Sequence, residues 1–366
     1  ISGVWIMAYT TIDDPSAHFH TRLFQGDGSS GLTVTNNANA GDFKPDWLWI
    51  KNRAGTYGTR SNELMDSNRG ANKALESDDT EAEFTRSGTN SFNTNGFTVG
   101  DDYGVNPPSG TTSVAWQWKA NGGTTSSNGD GSITATVQAN TTAGFSIITY
   151  TGNGTSGATI GHGLGKVPKW IVQKSRERTD YNWQVYHEAV SSDPETDFFR
   201  LNTTAAVADD ATIWNDTAPS SSVITLGNSI GGNANGEGIV VYAFAEIKGY
   251  SKFGSYTGNG NADGTFVYTG FKPAWIMLKR TDSTNNWNIF DNKRDVDNQV
   301  GNVLYANLSN AEEADASHSS ANDFLSNGFK LRETGNAVNG SGATYIYIAF
   351  AEHPFVSSKG VPVTAR

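Results

Sequence analysis

The chain contains no cysteine. Disulfides and thiolate metal sites are therefore excluded, and packing alone must hold the fold. No run of about 18 apolar residues occurs, so no helical membrane span is expected. Basic residues are in deficit, 26 Lys and Arg against 37 Asp and Glu, for a net charge of −11. That balance argues against a face that neutralises phosphates and suits an acidic, solvated surface. Glycine-rich stretches such as residues 152–157 lack the lysine of a phosphate loop. No nucleophile elbow with triad partners appears. Ile1 to Ile6 are apolar but too short for a signal-peptide core, and they lack a basic flank. Met7 would be a natural start, so those six residues read as upstream sequence or a trimmed remnant.

What is present is glycine (41 residues) and aromatic side chains (11%), among crowded Thr, Ser and Asn. This is the profile of short strands joined by tight turns. The arrangement is a threefold repeat. Each copy opens on an aromatic and a Gly-rich turn: Phe24-Gln25-Gly26-Asp27-Gly28, Tyr150-Thr151-Gly152-Asn153-Gly154 and Tyr256-Thr257-Gly258-Asn259-Gly260. A proline then precedes a Trp by two residues, at Pro45/Trp47, Pro168/Trp170 and Pro273/Trp275, and a short apolar run ends in Lys51, Lys174 or Lys279. Such runs suit strands buried on both faces. Phe97 to Trp118, Val223 to Phe244 and Phe329 to Phe350 are matched at intervals of 21 residues, whereas the preceding interval from the Trp is 50, 53 and 54. The ends of each copy are constant and the middle absorbs insertions.

The expected fold is all-β: three tandem β-sandwich modules of jelly-roll or lectin-like type, each of about 105 residues. The first module covers 1–120 with its N-terminal extension. Residues 121–143 form a Gly/Ser/Thr linker whose "SITATVQA" half alternates like an edge strand. The second module covers 144–249, the third 250–355, and a tail 356–366 is either disordered or docked on a neighbour. The second and third copies have almost no linker, so they should pack closely and leave the first more independent. "ALESDDTEAE", "LNTTAAVADD" and "NLSNAEEADA" mark one short helix or polar excursion per copy.

Candidates for chemistry are few. Glu246 and Glu352 match in "FAE", but Ala120 takes that place in the first copy, and a structural strand-end role outweighs acid catalysis. His18 and His20 alternate on one strand face without a third ligand at metal spacing. Asn128, Asp130 and the Asp pairs 78/79, 101/102 and 209/210 offer at most a weak Ca²⁺ site, since the EF-hand pattern is absent. No other cofactor is implied. Trp183, Trp214 and Trp287 lie in Asn-rich surroundings, with His187 and Asp291 at matching strand ends. An aromatic face beside amides is how sugars are gripped. The competing reading closes the sandwich core with these Trp.

The segments "FSIITYTGNGTSGATIGHGLGKVPKWIV", "AEIKGYSKFGSYTGNGNADGTFVYTGFKPAWIMLKRTDS" and "YIYIAFAEHPFVSSKGVPVTAR" resemble a module of virion structural and tail-fibre proteins of tailed bacteriophages, marine ones especially. "NVLYANLSNAEEAD" and "FLSNGFKLR" carry the same likeness, which spans nearly the whole chain from Met7. It implies a component of the particle surface and no catalytic residues. The expected function is then a tail-fibre or head-fibre adhesin that binds host-surface glycans. It would be homo-oligomeric, a trimer being favoured, and contact other virion proteins, without nucleic acid or membrane span. The alternatives are a capsid decoration protein without receptor binding and, further off, a polysaccharide depolymerase.

Overall fold

The computed structural model describes residues 8–38, 41–108, 110–314 and 320–362. Ile1 to Ile6, His318 and the last four residues of the tail lie outside them. The fold is all-β, with two four-residue helices and one short 3-10 turn among the described residues.

Each repeat lays a small antiparallel sheet over a large one. In the first, the large sheet runs in the order Phe19–Gln25, Thr112–Trp118, Trp47–Asn52, Glu63–Asp66, Gly70–Glu76, Phe84–Thr85. Leu32–Thr35, Gly96–Val99 and Thr89–Asn93 make its small sheet. The same central pairing recurs: Trp47 opposes Trp118, Trp170 opposes Phe244, and Trp275 opposes Phe350. Residues 121–143 do not stand apart from the modules. Ala135–Asn140 pairs with Phe145–Thr151, and Ser126–Asn128 pairs outside it.

Period-two alternation explains why the proline-led strands carry apolar residues on both faces. Leu48 and Ile50 point into the first sandwich, Ile171 into the second, Ile276 and Leu278 into the third. Their neighbours Trp47, Trp49, Trp170, Val172, Trp275 and Met277 point the other way, into one cluster shared by all three modules. At its centre the equivalent side chains Trp118, Phe244 and Phe350 meet one another edge to face, with ring centroids 5.6, 5.7 and 6.4 Å apart. Three equivalent groups in mutual contact define a pseudo-threefold axis within a single chain. The expectation of a more independent first copy is therefore corrected: Phe19, Trp47, Trp49, Trp116 and Trp118 belong to the same cluster as their counterparts.

The seams between modules repeat the threefold pattern bond by bond. Buried Lys174 Nζ donates to Thr80 O of the first module, Lys279 Nζ to Thr204 O of the second, and Lys51 Nζ to Ser309 O of the third. Burial pushes each of these ammonium groups down to about 8. The accepting segments are the three polar runs read as helix or excursion. Those that are described form no helix, because their carbonyls face the neighbour's lysine; residues 315 and 316 lie outside the described part. Three residues further along each accepting segment, Glu83 N, Val207 N and Glu312 N donate to Arg176 O, Thr281 O and Arg53 O at 2.7, 3.1 and 2.8 Å.

Side chains at these matched places differ. Glu312 is clamped by Arg53 at 2.7 Å and by buried Arg294 at 3.1 Å, and Arg294 also holds Asp291. Glu83 is clamped likewise by Arg176 and Arg69, and Arg69 holds Asp66. In the remaining seam Val190 and Val207 pack on the shared cluster instead.

The Gly-rich turns are held by a third repeated device. Buried Asn106, Asn233 and Asn339 accept through Oδ1 from the backbone of Asp27, Asn153 and Asn259, each at 3.0 Å. A side chain at Gly152 would meet Ala234 O at 2.3 Å, so glycine is required there by close backbone approach. Register also revises one alignment. Val34 pairs with Phe97 and Val267 with Phe329, while Ile160 pairs with Ile224. Ile224, not Val223, is the second module's counterpart, and its interval to Phe244 is one residue short of 21.

Two expectations follow from the shared core. Phe350→Ala should cost about 3–5 kcal/mol, the usual range for a buried Phe. The loss should move one denaturation transition seen alike by tryptophan fluorescence and far-ultraviolet circular dichroism; a split transition in which only part of the signal moves would contradict it. Glu312→Val should cost about 3–5 kcal/mol by leaving Arg294 buried with its charge only partly met. Adding Arg53→Thr, Arg294→Val and Asp291→His, which copies the apolar seam, should restore part of that stability in the same assay.

Candidate functional site

A cleft of about 560 Å³ lies on the second module. Its floor is Gln184, Phe198 and Arg200, from the adjacent strands Gln184–His187 and Asp197–Arg200. Its walls are the 180–182 loop, the start of the helix Ala211–Trp214, and the 228–230 loop. Gln184 is fixed from both sides: its Oε1 accepts from Gln173 Nε2 and its Nε2 donates to Ser229 Oγ. The two carboxylates of the rim are already engaged. Asp210 caps the helix, accepting from Thr212 N at 2.9 Å, and Asp180 pairs with Arg178 at 3.1 Å. The Arg200 guanidinium lies over the Phe198 ring at 4.8 Å. Its side chain makes no ion pair or hydrogen bond to the described residues.

The same place exists in each module, because the ladder sets Gln184 opposite Arg200, Glu63 opposite Glu76, and Asn288 opposite Tyr305. The chemistry changes each time. The first module has a cleft of about 440 Å³ lined by Arg60, Arg86, Asp101, Asp102 and Tyr103. Arg86 there answers Asp102 at 3.4 Å, Glu63 at 3.5 Å and Glu76 at 3.8 Å. Burial, and after it the Asp102 charge, pushes the Glu63 carboxyl up to about 8. In the third module Tyr305 Oη donates to Glu313 Oε2 at 2.7 Å.

A family model, DUF7483, a domain of unknown function, matches residues 14–354. The chain belongs to this family. The match spans all three modules, consistent with one body rather than three detachable ones. No curated protein and no solved structure matches.

The five residues expected to grip a ligand are interior. Trp183, Trp214, Trp287, His187 and Asp291 are each no more than 1% exposed, so none offers a face to a sugar. Trp214 packs in the second sandwich against Tyr186. Trp183 and Trp287 enter the shared cluster and donate across seams, to Glu76 O at 2.8 Å and Arg200 O at 3.1 Å. Asn62, their counterpart, donates to Tyr305 O. These three carbonyls belong to the three cleft positions just described, so Trp287 holds the backbone of Arg200 without touching the cleft. His187 and Asp291 bridge seams, to Tyr347 O and Trp116 Nε1. Ala189 N donates to His187 Nδ1, which leaves Nε2 to carry the proton toward Tyr347 O. Burial pushes that imidazole down to about 4, so it is neutral at ordinary pH.

The remaining candidates are structural where described. Glu352 pairs with Lys272 at 2.5 Å and Glu246 with Lys252 at 3.4 Å, each inside its own module. His18 packs on Tyr250, while His20 meets Asn37. Asp78 accepts from Asn62 N, and Asn128 Oδ1 from Asp130 N. No cluster of three His, Asp or Glu suited to a metal occurs among the described residues. Sequence reading passed over Arg200. Its signal is the ladder register that aligns it with Glu76 and Tyr305.

The Glu63 shift sets a pH dependence. Its folded value, about 8, lies above the unfolded one, so the stability it contributes is complete below the unfolded value and is lost as pH rises through about 8. The melting temperature of the native chain should therefore fall relative to that of Glu63→Gln between about pH 5 and pH 9. Parallel profiles would show that Glu63 is ionised throughout.

Proposed function

We propose that this chain is a structural component of a bacteriophage particle, a fibre adhesin that holds host-surface glycans in the cleft of its second module. The observation that carries this reading is the cleft itself. Tyr181, with the Arg178 guanidinium over one face of its ring at 5.5 Å, lines the cleft together with Asn182, Asn228, Thr212 and Ser229. A ring face with amides and hydroxyls around it matches the two sides of a sugar, apolar and hydroxylated. The frame beneath is rigid, because the Arg200 carbonyl is tied to the next module. Support for the particle comes from the resemblance to tail-fibre modules and from the chain's acidic surface. The threefold arrangement sits within one chain, so a trimer of chains is not needed to create it.

A glycan array probed with the purified protein should give a restricted set of binders. Tyr181→Ala should weaken them by about tenfold, the loss expected for one stacked ring. Antibody labelling should place the chain on the particle surface. Labelled particles with an empty array would favour capsid decoration. New reducing ends from host polysaccharide would show a depolymerase.

A further inference from the structure

Among the three matched positions, the second module's differs in charge. Where the first module has Glu63, Glu76 and Asp102, the second has Gln184, Arg200 and Ser229. The first set is internally answered: Arg86 reaches all three carboxylates and lies over Phe84 at 4.1 Å. The second set inverts the arrangement and leaves out the partner. Arg200 lines the cleft with its guanidinium over the Phe198 ring at 4.8 Å and makes no ion pair among the described residues. Asp180 and Asp210, the carboxylates nearest in the lining, are held by Arg178 and by Thr212 N and Oγ1.

We propose that Arg200 receives the carboxylate of an acidic sugar, a uronic or sialic acid residue, whose ring lies against Tyr181. This rests on the glycan-binding reading of the same cleft and names the class of sugar. The stacked guanidinium presents its edge nitrogens, which suit a planar carboxylate through two parallel bonds. The Asn228 amide and Asn182 Nδ2 are left to meet hydroxyls, since Asn182 Oδ1 accepts from Asn202 and Ser229 Oγ from Gln184. The Trp287 bond to Arg200 O fixes the strand from below, so the guanidinium is placed before the ligand arrives. The rim carboxylates and the overall charge of −11 disfavour long polyanions, so a single acidic residue within a glycan is the fitting ligand.

The test uses the full chain and isothermal titration with glucuronate-, galacturonate- and sialate-containing oligosaccharides, each beside its carboxyl-reduced counterpart. At least one acidic form should bind about tenfold or more tightly than its reduced form, the advantage typical of a charge-assisted pair at a partly open site. Arg200→Gln should abolish that difference while leaving the melting temperature unchanged. Arg200→Lys should restore only part of it, because a point charge cannot make the paired bonds. Equal binding of acidic and reduced forms would overturn the role of Arg200 and leave the glycan reading intact. No binding of any form, acidic, reduced or neutral, would overturn both.

Discussion

The contact on which everything else depends is the mutual packing of Trp118, Phe244 and Phe350. Each edge-to-face pair contributes about 0.5–1.5 kcal/mol beyond the area it buries. Their geometric effect is larger. Each ring sits on an interior strand of its module's large sheet, so fixing the three rings fixes three sheets around one axis. A sheet that would otherwise show one face to water is buried on both. This is why the strands led by Trp47, Trp170 and Trp275 have no solvent-facing side, and why a chain with few hydrophobic residues still builds a large core.

Around that centre the protein separates what must match from what is free to differ. The lysine-to-carbonyl bonds, the Asn clasps and the tryptophan or Asn donors to residues 76, 200 and 305 recur in every module. The side chains at those positions do not repeat their chemistry: carboxylates with their own arginine, an arginine without an ion pair, and a tyrosine tied to Glu313. Even the seams vary, with Arg–Glu–Arg clamps in two and valines in the third. Buried ion pairs are often replaceable by apolar groups at little cost. The valine seam is that replacement, present within the same molecule.

The strands and the repeat could be read from the amino-acid sequence because they rest on local signals: period-two alternation, Pro before Trp, Gly in tight turns. The shared core could not. Trp183 and Trp287 look solvated because Asn-rich turns flank them in the chain, yet their partners are carbonyls 107 and 87 residues away in another module. The same non-local packing drew the first copy into the body despite its long Gly/Ser linker. Arg200 was obscure for a different reason. One arginine in "DFFRLN" is unremarkable until pairing register sets it against Glu76 and Tyr305, and only then does its missing partner become visible.

Native-state amide hydrogen exchange tests the shared centre most directly, because it reports the opening free energy of each strand separately. The slowest amides of Trp47–Asn52, Trp170–Ser175 and residues 275–278 should exchange with one common opening free energy, equal to that of global unfolding. A module whose central strand opens at a clearly lower free energy than the other two would contradict the account.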